Sequence, residues 1–223
     1  MKTRLMAIAV LSTLAASAQA QGLSWSAARF YLGAELGQSH TGMDSGGFNT
    51  LGPHPNTNED TDRNNQWDVK AGVEMGRFRF DLGYREYERG KYTTDSFQPP
   101  VPTFFYTSKI KSKAWMLSAY YDIVQHNKWS VYGGAGLGQA RTDVSTNDTV
   151  VQGSGSDTNF AWQAELGVGY ALTNAFQIYG GYRYADLGET KINLRPIGGG
   201  APVGDFSADL KSNELFVGLK YKF

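Results

Sequence analysis

The chain has 223 residues, no cysteine, and 21 basic against 21 acidic side chains. That composition excludes a disulfide framework, thiolate metal sites and thiol catalysis, and the even charge disfavours nucleic acid, which calls for a basic face. No apolar run reaches the roughly 18 residues that a membrane-spanning helix requires.

Taken in order, the first twenty residues have the three parts of a secretory signal. Lys2 and Arg4 form a basic start, Leu5 to Ala16 is mostly apolar, and Ala18-Gln19-Ala20 is an A-x-A cleavage site. The expected division is a signal peptide over residues 1–20 and a single domain over residues 21–223. Without Lys2 and Arg4, 19 basic residues face 21 acidic ones, a net charge of −2.

The first strand is expected from Arg29 to Ser39, where Phe30, Leu32, Ala34 and Leu36 alternate with Tyr31, Gly33, Glu35 and Gly37. A period of two is a strand with one apolar face. His40 to Asn65 turns polar and reads as a long loop. Next come Trp67, Val69, Ala71, Val73 and Met75 against Asp68, Lys70, Gly72 and Glu74. A tight turn at Gly76-Arg77 leads to Phe78, Phe80, Leu82 and Tyr84, which face away from Arg79, Asp81, Gly83 and Arg85. Glu88 to Ser108 is the second long loop.

The fourth strand sets Trp115, Leu117, Ala119, Tyr121 and Ile123 against Met116, Ser118, Tyr120 and Asp122. The turn Gln125 to Lys128 follows. Trp129, Val131, Gly133, Ala135 and Leu137 then alternate with Tyr132, Gly134, Gly136 and Gly138. A third polar loop runs to Asp157. The sixth strand opposes Phe160, Trp162, Ala164, Leu166, Val168 and Tyr170 to Gln163, Glu165, Gly167 and Gly169. After a turn at Thr173-Asn174, Phe176, Ile178, Gly180, Tyr182 and Tyr184 oppose Gln177, Tyr179, Gly181 and Arg183. Asp186 to Ser207 is the last long loop. Leu215, Val217, Leu219, Tyr221 and Phe223 form the closing strand's apolar face. The proline clusters at 53–55, 99–102 and 196–202 are expected outside the strands, because proline removes a ladder donor.

Eight segments joined alternately by short and long connections predict an all-β, eight-stranded antiparallel up-and-down transmembrane β-barrel. Both termini then lie in the periplasm. Phe78, Trp129, Tyr170, Phe176, Tyr221 and Phe223 fall near the periplasmic rim. Trp67, Trp115, Phe160, Trp162, Tyr182 and Tyr184 fall near the outer one. Aromatic rings favour both membrane interfaces. A lipocalin-type barrel would turn its apolar face inward, and the two belts and terminal Phe223 disfavour it.

The inward face collects charges of both signs. Eight strands leave a bore just wide enough for side chains, and an unpaired charge there is costly. An interior ion-pair network is therefore expected, centred on Glu35, Glu74, Arg79, Asp81, Glu165 and Arg183. Such a network either plugs the barrel or lines a narrow pore, and the filled bore favours the plug.

Catalytic, cofactor and metal sites are not expected. His40 and His54 accompany Asp44, Glu59, Asp60 and Asp62, but no nucleophile motif appears. His126 sits in a turn. Asp60-Thr61-Asp62-Arg63-Asn64 begins like a calcium loop, yet Asn65 and Ala71 replace the required Gly and Glu, leaving at most weak cation binding over 41–65. Gly134-Ala135-Gly136-Leu137-Gly138 lies in a strand and is not a dinucleotide loop.

The stretches FYLGAELGQ (30–38), VYGGAGLGQA (131–140), AELGVGYAL (164–172), GYRYADLG (181–188) and the terminal GLKYKF together resemble the opacity-protein and OmpA-like outer-membrane barrel family. Gly218, Tyr221 and Phe223 resemble that group's C-terminal assembly signal. The resemblance implies a small porin-family barrel, not an enzyme, in a Gram-negative outer membrane. Its partners would be lipopolysaccharide, the barrel-assembly machinery, and host or environmental surface ligands met through four extracellular loops. A structural or adhesin-like monomer is expected, with a narrow solute pore as the alternative. A peptidoglycan-binding domain after Phe223 is not expected.

Overall fold

The computed structural model describes residues 28–49, 53–55, 62–98, 101–147 and 151–223, and the side chains among them except those at 42–49, 53–55, 62, 89, 91–98 and 101–107. The expected signal peptide over 1–20 lies outside the described residues. The strands are β1 (Arg29–Asn49), β2 (Pro53–Pro55), β3 (Asp62–Met75), β4 (Phe78–Gln98), β5 (Val101–His126), β6 (Trp129–Asn147), β7 (Val151–Ala171), β8 (Phe176–Pro196) and β9 (Gly204–Lys222). Each long strand pairs antiparallel with its neighbour, and β1 pairs with β9, closing a ring of eight. The three-residue β2 only extends β1 at the outer end.

The short connections lie at the end that carries Arg29 and Phe223. There Phe223 donates its backbone N–H to Phe30 O at 3.0 Å, and Lys222 donates to Ala175 O at 2.7 Å. Gly76 (φ 62°) makes the β3–β4 turn, where a left-handed residue is needed. Asn127 (φ 52°) does the same between β5 and β6, because asparagine tolerates that region. That turn is tighter than expected, since β5 runs on through His126.

Alternation sorts the side chains. Leu36, Leu82, Leu137, Leu166 and Leu215 point out of the barrel, exposed by half or more, while Glu35, Arg85, Glu165 and Arg183 are buried inside. An apolar wall facing outward round a charged interior needs lipid, not water, as its solvent. Met75, expected on the outer wall, is instead buried beside the Gly76 turn, opposite Phe78. At the bulge between Asp122 and Val124, both Ile123 and Val124 are exposed.

Aromatic rings mark both rims. At the short-turn end Phe30 meets Phe223 across the β1–β9 seam (6.4 Å between centroids), Phe176 meets Tyr221 (5.0 Å), Trp129 meets Tyr170 (4.7 Å) and Phe78 meets Tyr121 (5.0 Å). At the other end Tyr84 lies between Trp67 (5.5 Å) and Trp115 (5.0 Å), and Trp162 meets Tyr184 (5.4 Å).

The strands are longer than their alternation suggests. The four stretches read as long loops are mostly strand: β1 continues to Asn49, β4 to Gln98, β6 to Asn147 and β8 to Pro196. Beyond the outer belt the wall meets water, so the apolar face moves inside and the outer face turns polar. On β5, Ile110 is buried while Lys109, Lys111 and Lys113 point outward. Several prolines accordingly lie in strands. Pro53 and Pro55 form the edge strand β2, Pro102 is the second residue of β5, and Pro196 ends β8, all places where a missing donor costs little. Pro202 stays outside, and Pro99 and Pro100 are not among the described residues.

Candidate functional site: a closed interior beneath outer hairpins

The middle of the barrel is organised by Arg183 on β8. Register places Glu165 of β7 directly on one side of it and Glu214 of β9 on the other. Arg183 Nε donates to Glu165 Oε2 at 2.9 Å, Nη1 to Glu214 Oε2 at 3.1 Å, and Nη2 to Glu35 Oε2 at 2.7 Å. Lys70 pairs with the other oxygen of Glu35. Arg85, directly opposite Asp68, donates to its Oδ2 at 3.0 Å and to Gln163 Oε1 at 3.0 Å. Tyr87 (2.6 Å) and Gln66 (2.9 Å) donate to Glu214, and Tyr132 (3.0 Å) to Glu165. The two guanidiniums thus serve four carboxylates, while Arg85 Nε, Asp68 Oδ1 and Gln66 Oε1 are buried without a hydrogen-bond partner among the described residues.

Of the six residues expected at the centre of the network, Glu35, Glu165 and Arg183 meet here. The other three sit closer to the periplasmic rim. Arg79 pairs with Asp122 at 3.1 Å and lies over the Tyr132 ring at 4.3 Å. Asp81 accepts from Tyr31 at 2.8 Å. Glu74 pairs with Lys222 at 2.8 Å. Lys220 reaches no hydrogen-bond acceptor among the described residues; its ammonium lies 4.7 Å from the Tyr31 ring centroid and 5.4 Å from that of Tyr179. The free volume among these groups is about 10 Å³, room for a single water.

Sequence reasoning missed Glu214 as a central member. It lies just before the apolar alternation that defined the last strand, yet it continues the inward parity of Phe216, Gly218 and Lys220. Extending that parity through polar sequence would have found it.

Above the ionic layer, the described side chains of β4 to β9 form an apolar one, with the hydroxyl pairs Ser108–Thr146 (2.9 Å) and Ser112–Thr142 (3.0 Å) buried beside it. Ile110, Val144, Ile192, Leu194, Phe206 and Leu210 belong to one buried cluster, together with Met116 and several alanines. The inside is therefore ionic where the outside meets lipid, and oily where the outside meets water. Two layers of opposite character lie in series along the axis.

Just beyond the outer belt, Lys111 pairs with Glu86 at 2.5 Å, and Tyr84 donates to the same carboxylate at 3.1 Å. The hydrogen bond from Lys111, helped less strongly by that from Tyr84, holds the Glu86 carboxyl below its usual range against the opposing effect of burial.

His40 Nε2 accepts from Arg63 Nε at 2.9 Å, and His126 is exposed at its turn. The side chains of Asp44, His54, Glu59, Asp60 and Asp62, and with them most of the cation expectation over 41–65, lie outside the described residues.

A family model described as "Outer membrane protein beta-barrel domain" matches residues 6–223. Outer membrane protein PagN of Salmonella typhimurium is 30% identical over 125 residues, 52% of this chain and 52% of PagN. RC1281 of Rickettsia conorii, provisionally named an adhesin, is 24% identical over 156 residues, 66% of this chain and 62% of its own. The chain thus spans between half and two-thirds of the length of these curated relatives. Two solved barrels share the fold. Neisserial surface protein A (NspA) gives a TM-score of 0.56 at 20% identity, over 87% of this chain and 97% of NspA. OprG of Pseudomonas aeruginosa gives 0.56 at 15% identity, over 86% and 95%.

Proposed function

The chain belongs to the outer membrane protein β-barrel family, and from that premise we propose that it is a closed scaffold whose outer hairpins attach the cell to surfaces. It is an outer-membrane protein, with the two ends of its strand ladder on the periplasmic side. The observation that carries the reading is the doubly filled bore. A wall sealed by an ionic layer and an apolar layer leaves the outer hairpins as the part free to meet other molecules. Recognition commonly resides on such connections above a rigid frame. The provisional adhesin name of RC1281 supports the same direction.

On this reading four outer hairpins face the surroundings, lipopolysaccharide surrounds the outer belt, and the barrel works as a monomer. Gly218, Tyr221 and Phe223 act as the signal read by the barrel-assembly machinery.

Planar-bilayer recording tests the closed bore. The purified protein is expected to stay silent at physiological salt; steady unitary openings would replace the scaffold with a narrow solute pore. One feature favours that second reading, the acceptor-free ammonium of Lys220 below the ionic layer. Exchanging the outer hairpins for those of an unrelated barrel is expected to abolish cell attachment while preserving outer-membrane insertion. Attachment that survives the exchange would remove the hairpins from the function.

A further inference from the structure

A cleft of about 710 Å³ lies between the β6–β7 hairpin and the β8–β9 hairpin in the outer extension. Its origin is local. The β7–β8 pairing is irregular between Gln152 and Trp162. On β7, Gly153 and Gly155 leave the floor without side chains. A Cβ on Gly155 would stand 2.8 Å from Ile192 Cγ2, and one on Gly153 2.9 Å from the Asn193 carbonyl.

The lining has one sign of charge. Lys109 comes from β5 and Lys191 and Arg195 from β8, and none of the described lining residues is acidic. Lys191 also reaches Glu189 at 3.1 Å on the margin. Lys109 and Arg195 make no ion pair among the described residues. Between the cations stand Asn147, Gln152 and Asn193, with serine and threonine hydroxyls beside them. Such amides and hydroxyls both donate and accept, as sugar hydroxyls require. Among the described lining residues the large apolar side chains are Ile192 and Pro196, too little for an amphipathic helix. The volume falls in the range that holds a compact ligand.

We propose that this cleft binds an acidic saccharide, its carboxylate or phosphate groups held by Lys109, Lys191 and Arg195 and its hydroxyls by the amide and hydroxyl lining. The proposal rests on the attachment reading and specifies what is attached. The same chemistry occurs in the phosphorylated core of lipopolysaccharide and in uronic-acid polysaccharides of other surfaces.

The test uses the full chain folded in lipid nanodiscs, with fluorescence anisotropy of four labelled probes. These are a phosphorylated lipopolysaccharide core oligosaccharide, an oligogalacturonate, a neutral dextran oligomer and oligoglutamate. At least one acidic saccharide is expected to bind, with an affinity that falls as salt rises, while dextran does not bind and oligoglutamate binds less well. Which acidic probe binds distinguishes the two sources. The double variant Lys109→Glu, Arg195→Glu is expected to weaken binding roughly tenfold or more, because charge-assisted hydrogen bonds become repulsions. Gly155→Leu, which fills the floor without changing charge, is expected to weaken it likewise. The heat-shifted electrophoretic mobility of a folded barrel checks that each variant has assembled.

Equal binding of dextran, preference for oligoglutamate, absence of saccharide binding, or undiminished binding by both folded variants would overturn the proposal. If cell attachment still depends on the hairpins in any of those cases, this site fails and the attachment reading stands. Saccharide binding without attachment would do the opposite, keeping the site and removing the attachment reading.

Discussion

Arg183 shows how one buried cation can hold a barrel wall together. It is fully buried and touches carboxylates from β1, β7 and β9, so it joins strands on both sides of the closure seam. Replacing it with alanine leaves Glu35, Glu165 and Glu214 facing one another with only Lys70 and Arg85 to offset them. Breaking a buried pair from one side costs about 3–5 kcal/mol, and Arg183→Ala is expected to lose at least that much. Urea unfolding in lipid vesicles measures the loss; a midpoint within error of wild type would show that Arg183 does not bind the wall. Inward parity and charge type brought Glu35, Glu165 and Arg183 into view from sequence. Depth along the axis was not visible, which is why Glu74, Arg79 and Asp81 were grouped with residues that lie farther toward the outer side.

The strand is the scale at which the sequence misled. Within the lipid belt the rule is apolar out, polar in, and each such segment was legible. Past the belt the rule inverts. On β9, Phe206, Ala208 and Leu210 point inward and Asp209 and Lys211 outward, yet the period of two never breaks. A reading that looks for apolar residues on the outer face sees a loop there, because both the polar content and the proline content rise. The inward parity of Phe206 and Leu210 was the signal that could have extended β9.

The upper layer is a separate packing unit, and a cavity in it should loosen the hairpins before the barrel. Phe206→Ala removes a fully buried ring, at a cost of about 3–5 kcal/mol. Limited trypsin digestion of intact cells is expected to cut faster after Lys191 and Lys211, while the membrane-embedded band keeps its folded mobility. Equal loss of the barrel itself would mean that the two layers unfold as one.

At the scale of the whole molecule, closure depends on β1 meeting β9, and aromatic contacts at the periplasmic rim finish that seam. Phe223 lies against both Phe30 and Tyr221. Phe223→Ser is expected to cut the amount of folded protein in the outer membrane severalfold, measured by heat-shifted mobility in membrane fractions. Unaided refolding into vesicles separates two causes. A normal rate there assigns the defect to recognition by the assembly machinery, whereas a matching defect assigns it to the lost ring contact and sinks the signal role.

The reversal of polarity partway up the wall also sets how deep the protein floats. On β5 the last lipid-facing ring, Trp115, stands one outward position below Lys113; on β6, Leu137 lies two such positions below Arg141. A slide of two residues is about 5 Å of vertical travel at a usual strand tilt. Rising by that much would strand Trp115 above the acyl chains, and sinking would drown Lys113 among them. The barrel therefore carries its own waterline, and neighbouring lipids must adjust their thickness to it.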